Sequence, residues 1–232
     1  LGHDRVRAMI LAAGLGERMR PLTDHTPKPL LQVGGQPLIE HHLAKLAQAG
    51  IRDVVINVSH LARQVVACCG DGRRWGLRIR YSPEDQPLET AGGIQRALPL
   101  LGDAAFLVVN GDVWSDYPFA RLAGRQLAAD IHAHLVLVDN PSHHPLGDFH
   151  LGDDGLVSLR GPEEPAYTYA GLGIYAPAFF AGLAPGKMPL RPLLDRAIPA
   201  RQVSGEYHGG DWEDVGTPDR LAALEARVRC ER

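Results

Sequence analysis

Cysteine is scarce in this chain, and long apolar runs are missing. The three cysteines, Cys68, Cys69 and Cys230, form no CxxC pair and have no metal-ligand spacing. That excludes a disulfide scaffold and argues for a reducing compartment. Cys68 and Cys69 are expected to end a helix as small apolar residues. No apolar stretch approaches the about 20 residues that a bilayer-spanning helix needs. No secretory signal opens the chain, so a cytoplasmic location without membrane attachment is expected. An excess of one charge is lacking as well. The 24 Lys and Arg stand against 27 Asp and Glu, for a net charge of −3. This is no basic footprint for nucleic acid. Repeats, low-complexity tracts and long linkers are absent too. Histidine is plentiful, and His132 and His134 fall on one strand face. They have no third ligand at a telling spacing, so they do not make a zinc site.

What is present is an ordinary globular composition, 45% hydrophobic and 22% charged over 232 residues. A chain of this length suits one large α/β domain and buries a sizeable core. Apolar strands alternate with helical patterns, which predicts a doubly wound α/β sheet. Strands are expected at 9–12, 53–58, 77–81, 105–109, 134–138 and 167–175. Helices are expected from Pro37 to Gly50, from a Ser59 cap through Cys69, from a Thr90 cap onward, and over 190–198. A final helix starts with Thr217 as cap and Pro218 as first residue, presenting Leu221, Leu224 and Val228 on one face. Residues 139–147 read as a polar loop, and the strands that follow around a turn at 153–155 depart from this rhythm as an antiparallel section. Gly209-Gly210 reads as the turn of a hairpin joining 203–208 to 211–215. Residues 1–5 are expected to be a disordered tail.

The chain is organised around residues 8–29, AMILAAGLGERMRPLTDHTPKP. A short apolar strand breaks into Gly14 and Gly16, and Arg18, Arg20 and Lys28 follow in one loop. Glycines let a backbone approach phosphates because no Cβ intervenes. Arg then supplies a forked donor and Lys a point charge for phosphate oxygens. Two commoner phosphate motifs are excluded. The dinucleotide fingerprint needs glycine where Met19 stands, and the nearest Walker-like string, residues 182–188, has the wrong spacing and no hydroxyl.

Two further features join the loop. Residues 105–109 end in Asn110-Gly111-Asp112. A carboxylate at the carboxyl end of a central strand sits where open α/β sheets bind ligands, and it suits Mg²⁺, which takes one or two carboxylates plus phosphate oxygens. The loop 82–93, SPEDQPLETAGG, opens a helix with glycines in its first turn. Glycine inside the strand 167–175 signals close approach by a ligand or another backbone, or a bulge.

Leu-Ala-Ala-Gly-x-Gly-x-Arg-Met (11–19), Pro-Leu-Thr (21–23), Pro-Lys-Pro (27–29) and Trp-Glu-Asp-Val-Gly-Thr-Pro (212–218) resemble the signature of the sugar-1-phosphate nucleotidyltransferases. The resemblance covers essentially the whole chain. It implies a single domain over residues 1–232, with a Rossmann-like mixed sheet of the nucleotide-diphospho-sugar transferase type and a small antiparallel sugar-binding section. The left-handed β-helix of bifunctional relatives is not expected to follow. The implied partners are a nucleoside triphosphate, UTP, and a sugar 1-phosphate, bound by a monomer or small homo-oligomer with Mg²⁺ as cofactor.

The resemblance also implies roles. Ala13, Gly14 and Gly16 wrap the triphosphate; Arg18 and Lys28 neutralise it and the departing pyrophosphate. Glu84, Ala91 and Gly92 read the base. Asn110, Asp148, Ala170 and Gly171 face the sugar, and Asp112 and Asp214 hold the metal. Many relatives carry a Glu-Lys pair before the strand at 167. Here residues 161–165 hold no lysine, leaving Lys187 or Arg191 as substitutes. The motifs Pro-Leu-Glu-Thr, Asn-Gly-Asp-Val-Trp and Gly-Asp-Phe are similar to bacterial members that transfer uridylyl to an amino-sugar 1-phosphate of cell-wall recycling. Guanylyl transfer to mannose 1-phosphate and thymidylyl transfer to glucose 1-phosphate share the opening loop. A non-catalytic sugar-nucleotide-binding module would be expected to lose Arg18, Lys28 or an aspartate, and all are present. No Gly-x-Ser-x-Gly elbow offers an activated nucleophile. The expected chemistry is positioning and charge neutralisation for in-line attack on the α-phosphate.

Overall fold

The computed structural model describes residues 6–161 and 165–230. The expected tail 1–5 and most of the lysine-free stretch before the strand at 167 lie outside the described residues. In chain order the elements are β1 (Arg7–Leu11), β2 (Gln32–Val33), β3 (Gln36–Pro37), α1 (Leu38–Gln48), β4 (Asp53–Val58), α2 (Ala62–Cys69), β5 (Arg78–Pro83), α3 (Glu89–Leu101), β6 (Phe106–Asn110), β7 (Val113–Ser115), α4 (Ala120–Ala123), β8 (Ala133–Val138), β9 (Phe149–Leu151), β10 (Val157–Leu159), β11 (Thr168–Tyr175), α5 (Arg191–Ala197), β12 (Val203–Tyr207), β13 (Trp212–Asp214) and α6 (Pro218–Cys230).

Seven of these strands form one mixed sheet in the order β12-β8-β11-β6-β1-β4-β5. β11 runs antiparallel to both neighbours, and the other pairings are parallel. Apolar residues alternate between two cores, one on each face. Ala8, Ile10, Leu107 and Val109 pack on one side. Met9, Phe106, Val108 and Tyr175 pack on the other. Burial on both faces explains why the central strands read as continuous apolar runs. A third cluster gathers Met19, Leu31, Val33, Leu38, Val215, Leu224 and Val228. It fastens the opening loop to α1 and α6. The antiparallel section is present as the β9–β10 pair.

Several expectations shift. Residues 203–208 and 211–215 do not form a hairpin. β12 pairs in parallel with β8 at the sheet edge, and β13 pairs with β7 in a separate ribbon. A two-residue type I′ turn needs left-handed conformations at both central residues, and neither Gly209 nor Gly210 is left-handed. Gly210 is instead needed for space, because a Cβ there would lie 2.5 Å from Asp116 Oδ1. Thr90 does not cap α3, which starts at Glu89 after Leu88. Ser59 does not cap α2, which starts after a left-handed Leu61. Pro37 precedes α1 rather than opening it. At α6, Pro218 is the first residue and Thr217 Oγ1 accepts from Arg220 N at 3.4 Å, as expected.

Candidate active site

Strand register places the site. Leu11 at the end of β1 lies opposite Asn57 of β4 on one side and Asn110 of β6 on the other. The next strand brings Gly171 of β11 against Asn110, with a Cβ at Gly171 falling 2.6 Å from Asn110 Nδ2. Gly171 is left-handed (φ +70°) and sits in the bulge of β11 against β8. Of the sequence expectation the bulge is met there, while the group that closes on Gly171 is the Asn110 side chain rather than a backbone. The polar ends line the carboxyl edge of the sheet, where the strands give way to loops.

A cleft of about 540 Å³ opens on this edge. Ala13, Gly14, Gly16, Arg18, Lys28, Glu84, Asn110 and Asp112 line it, along with Glu89, Thr90, Lys187 and Gly216. Ala91, Gly92, Asp148, Ala170, Gly171 and Asp214 are not among its lining residues. The opening loop winds through short turns over Glu17–Met19, Leu22–Asp24 and Lys28–Leu30. Gly16 is left-handed at φ +65°, and a Cβ there would press 2.9 Å from Thr23 Cγ2. Gly14 has open space on its Cβ side, which is what a phosphate-wrapping backbone requires. Met19 is fully buried. The side chain that rules out the dinucleotide fingerprint thus anchors the loop.

A buried polar chain ties this loop to the start of α3. Ala12 N donates to Asn57 Oδ1 at 2.7 Å, Asn57 Nδ2 donates to Glu84 Oε1 at 2.7 Å, and Leu88 N donates to Glu84 Oε2 at 2.8 Å. A Cβ on Gly93 would sit 2.7 Å from Glu84 Oε1, so only glycine fits beside the chain. Glu84 is expected from the sequence to read the base. In the structure both its oxygens are engaged by this brace. The amides of Ala91 and Gly92 both donate to Met188 O, at 3.0 and 3.1 Å. Those two N–H groups are consumed by protein rather than offered to the cleft. Asn57 was missed in the sequence reading. Its signal was a polar residue inside the apolar strand DVVINV, at the ligand-binding edge.

Asp112 and Lys28 meet on the cleft floor. Lys28 Nζ lies 2.6 Å from Asp112 Oδ2, with the lysine side chain only 11% exposed. Gly111 lets this turn close, because its N–H donates to Leu11 O and a Cβ would lie 2.4 Å from that oxygen. The β7–β13 ribbon sets Asp214 opposite Val113, one residue from Asp112. Val215 N also donates to Asp112 O at 2.8 Å. Asp214 Oδ1 is engaged by Arg220 and by His143 Nε2, the latter at 2.9 Å. Among the described residues, no group of three or more His, Cys, Asp or Glu could hold a metal ion. One or two carboxylates completed by phosphate oxygens is the Mg²⁺ pattern. Asp112, with Oδ1 facing no hydrogen-bond donor among the described residues, and the adjacent Asp214 fit it. Beneath them His42 stays neutral, since burial and the nearby Lys45 push it down to about 3.

The residues expected to face the sugar are held by a mixture of side-chain and backbone contacts. Asp148 Oδ2 accepts Tyr169 N at 2.9 Å, and Asp148 Oδ1 faces His144 Nε2 at 3.2 Å. Arg191 stacks on Phe149 at 4.8 Å and pairs with Asp195 at 2.6 Å. Ala170 O accepts Trp212 Nε1 at 2.9 Å.

An open α/β sheet with a glycine-lined cleft, two loop cations and a carboxylate at a strand end defines an enzyme that handles nucleotide phosphates. The chain belongs to the Nucleotidyl transferase family, which it matches over residues 7–230. It is 51% identical to the N-acetylmuramate alpha-1-phosphate uridylyltransferase of Neisseria meningitidis serogroup B, across 95% of this chain and 97% of that one. The protein of the same name in Caulobacter vibrioides is 38% identical, across 95% and 96%. A mannose-1-phosphate guanylyltransferase of Mycobacterium tuberculosis is 32% identical, across 93% of this chain and 62% of that one. The fold matches a Bacillus anthracis crystal structure holding sucrose, with a TM-score of 0.84 at 24% identity, covering 97% of this chain and 95% of that one. The family resemblance read from the motifs and the mixed-sheet fold expected from it both hold.

Proposed function

We propose that the protein transfers a uridylyl group from UTP to N-acetylmuramic acid 1-phosphate, forming UDP-N-acetylmuramic acid and releasing pyrophosphate. One observation carries the reaction type: the Lys28–Asp112 pair at 2.6 Å on the floor of a cleft walled by the Gly14–Gly16 loop. The choice of base and sugar rests on likeness to the Neisseria relative along nearly the full length of both chains.

The chemistry follows from the residues. The acceptor phosphate has a second pKa near about 6, so its attacking oxygen is already ionised and no general base is required. That oxygen forms a bond to the α-phosphorus as the bond to the bridging oxygen breaks, and pyrophosphate leaves with the electron pair. Loop amides at Ala13, Gly14 and Gly16 cradle the triphosphate. Arg18, exposed and without an ion pair among the described residues, neutralises the charge that builds on the leaving group. Lys28 shares this task from below. Mg²⁺ held by Asp112 and Asp214 would supply further charge neutralisation across the reacting phosphates. Asn110 orients the sugar from the sheet edge, and Asp148, Ala170 and Gly171, outside the cleft lining, support that edge from behind. Glu84 sets the base-facing wall through its hold on the loop before α3. The working unit is one catalytic domain, serving cell-wall recycling in the bacterial cytoplasm as a monomer or small homo-oligomer.

Pyrophosphate release with Mg²⁺, measured for UTP, GTP, dTTP and ATP against a panel of sugar 1-phosphates, tests this. UTP with N-acetylmuramic acid 1-phosphate is expected to give the highest kcat/KM. A different winning pair reassigns the substrate, and no release with any pair rejects the reaction.

A further inference from the structure

Lys187 stands apart from the other cations of the cleft. Arg18 and Lys28 belong to the opening loop, whereas Lys187 reaches the same cleft from the segment before α5. Its backbone is clamped to the start of α3. Met188 N donates to Leu88 O at 2.9 Å, and Met188 O accepts the Ala91 and Gly92 amides. The fit is tight enough that a Cβ on Gly92 would lie 2.2 Å from Gly186 O. By contrast, the Lys187 side chain is 68% exposed and only loosely held, with Nζ 3.3 Å from Glu89 Oε1. Exposed pairs of this kind contribute little and break cheaply. Glu89 itself is left-handed at φ +60°, a conformation that L side chains rarely adopt and that clusters at functional sites. The result is a cation with a rigid base and a replaceable partner.

We infer that Lys187 binds the phosphate of the acceptor sugar 1-phosphate, and that Glu89 holds it in place until that phosphate arrives. This rests on the reaction proposed above. Two anionic phosphates must come within bonding distance, and the loop cations are taken up by the triphosphate and by Asp112. A cation on a separate element then serves the second phosphate, and its fixed base pre-positions it at little entropic cost. Arg191, the other candidate from the sequence, does not line the cleft and is engaged by Phe149 and Asp195.

Steady-state kinetics on Lys187→Met and Lys187→Arg test the assignment. Lys187→Met is expected to raise the KM for the sugar 1-phosphate by about ten- to a hundred-fold, the worth of one charge-assisted hydrogen bond. The KM for UTP stays within about two-fold on the same argument, and Lys187→Arg recovers most of the loss. Unchanged kinetics in Lys187→Met, or a rise confined to the UTP KM, overturns the inference. A wild-type protein that turns over no substrate pair counts against the proposed reaction instead. In that case inorganic phosphate binding, measured by calorimetry, still decides: weaker binding by Lys187→Met supports the role of Lys187, and equal binding overturns it. Should Lys187→Met fail to fold, Lys187→Gln replaces it with the same readouts.

Discussion

The two halves of the sheet meet the cleft by different means. On the side of β1, β4 and β5, the ligand-facing loop is fixed by backbone geometry and a buried polar chain. Ala12, Asn57, Glu84 and Leu88 connect in sequence, and glycines at 16, 93 and 111 make room for the contacts. On the side of β8, β11 and β12, position depends on exchangeable side-chain pairs such as His144 with Asp148. The most extensive polar network of that half lies at the sheet edge instead. Glu206 there meets Tyr117, Arg121, Arg125 and His134. A rigid wall suits a triphosphate backbone common to many substrates. A wall of adjustable side chains suits the partner that differs between related enzymes.

The sharpest way to break this contrast is at the floor both halves share. Asp112→Asn is expected to leave the fold intact and lower kcat by about 10³-fold or more, since in the proposed reaction one carboxylate both pairs with Lys28 and faces the reacting phosphates. Near-normal turnover in magnesium buffer would remove Asp112 from the mechanism. Lys28→Ala follows, with kcat down about 10²- to 10³-fold. A change confined to the sugar KM would place Lys28 in the wrong half.

Gly93→Ala probes the brace on the rigid side. Its Cβ would sit 2.7 Å from Glu84 Oε1 and 2.9 Å from Asn57 Nδ2. A loss of about 1–3 kcal/mol in stability is expected, with a several-fold rise in the KM for UTP, because buried hydrogen bonds are forced apart. Denaturant unfolding and steady-state kinetics on the same variant check both. A stable variant with normal UTP affinity would mean that the brace is not what positions the loop.

The smallest effect is expected at the far edge. Burial alone would raise the Glu206 carboxyl, but the neighbouring His134 ring, the hydrogen bond from Tyr117 and the Arg121 charge override it and hold it down to about 2. A depressed carboxylate stabilises the fold fully above its unfolded value of 4.5 and loses that contribution as pH falls toward 2. Glu206→Gln should flatten the acid limb of a stability-versus-pH curve while leaving turnover at neutral pH unchanged. A fall in neutral-pH activity would tie this edge to the cleft.

Much of the half built around β1 and the opening loop was legible in the sequence because its signals are local. A strand, two glycines and three cations fall within residues 8–29, and Asp112 follows two residues after a strand end. The start of α3 differs from the expected Thr90 cap because its first amides find their acceptor elsewhere: Met188 O takes the Ala91 and Gly92 N–H groups. The supposed hairpin at Gly209-Gly210 failed for a related reason. Its strands found better partners in β8 and β7 than in each other. Asn57 was hidden because its meaning depends on register with Leu11, two strands' worth of chain away.

By itself the sequence determined the alternation of strands and helices, the phosphate loop and the identity of its charged groups, since those depend on residue type and short spacing. Only the tertiary structure decided which groups meet. It gave Glu84 to Asn57, the α3 amides to Met188, and Lys187 to the cleft. Hydrogen-bond donors are claimed by the nearest acceptor in space, and that acceptor is set by strand order and register rather than by distance along the chain.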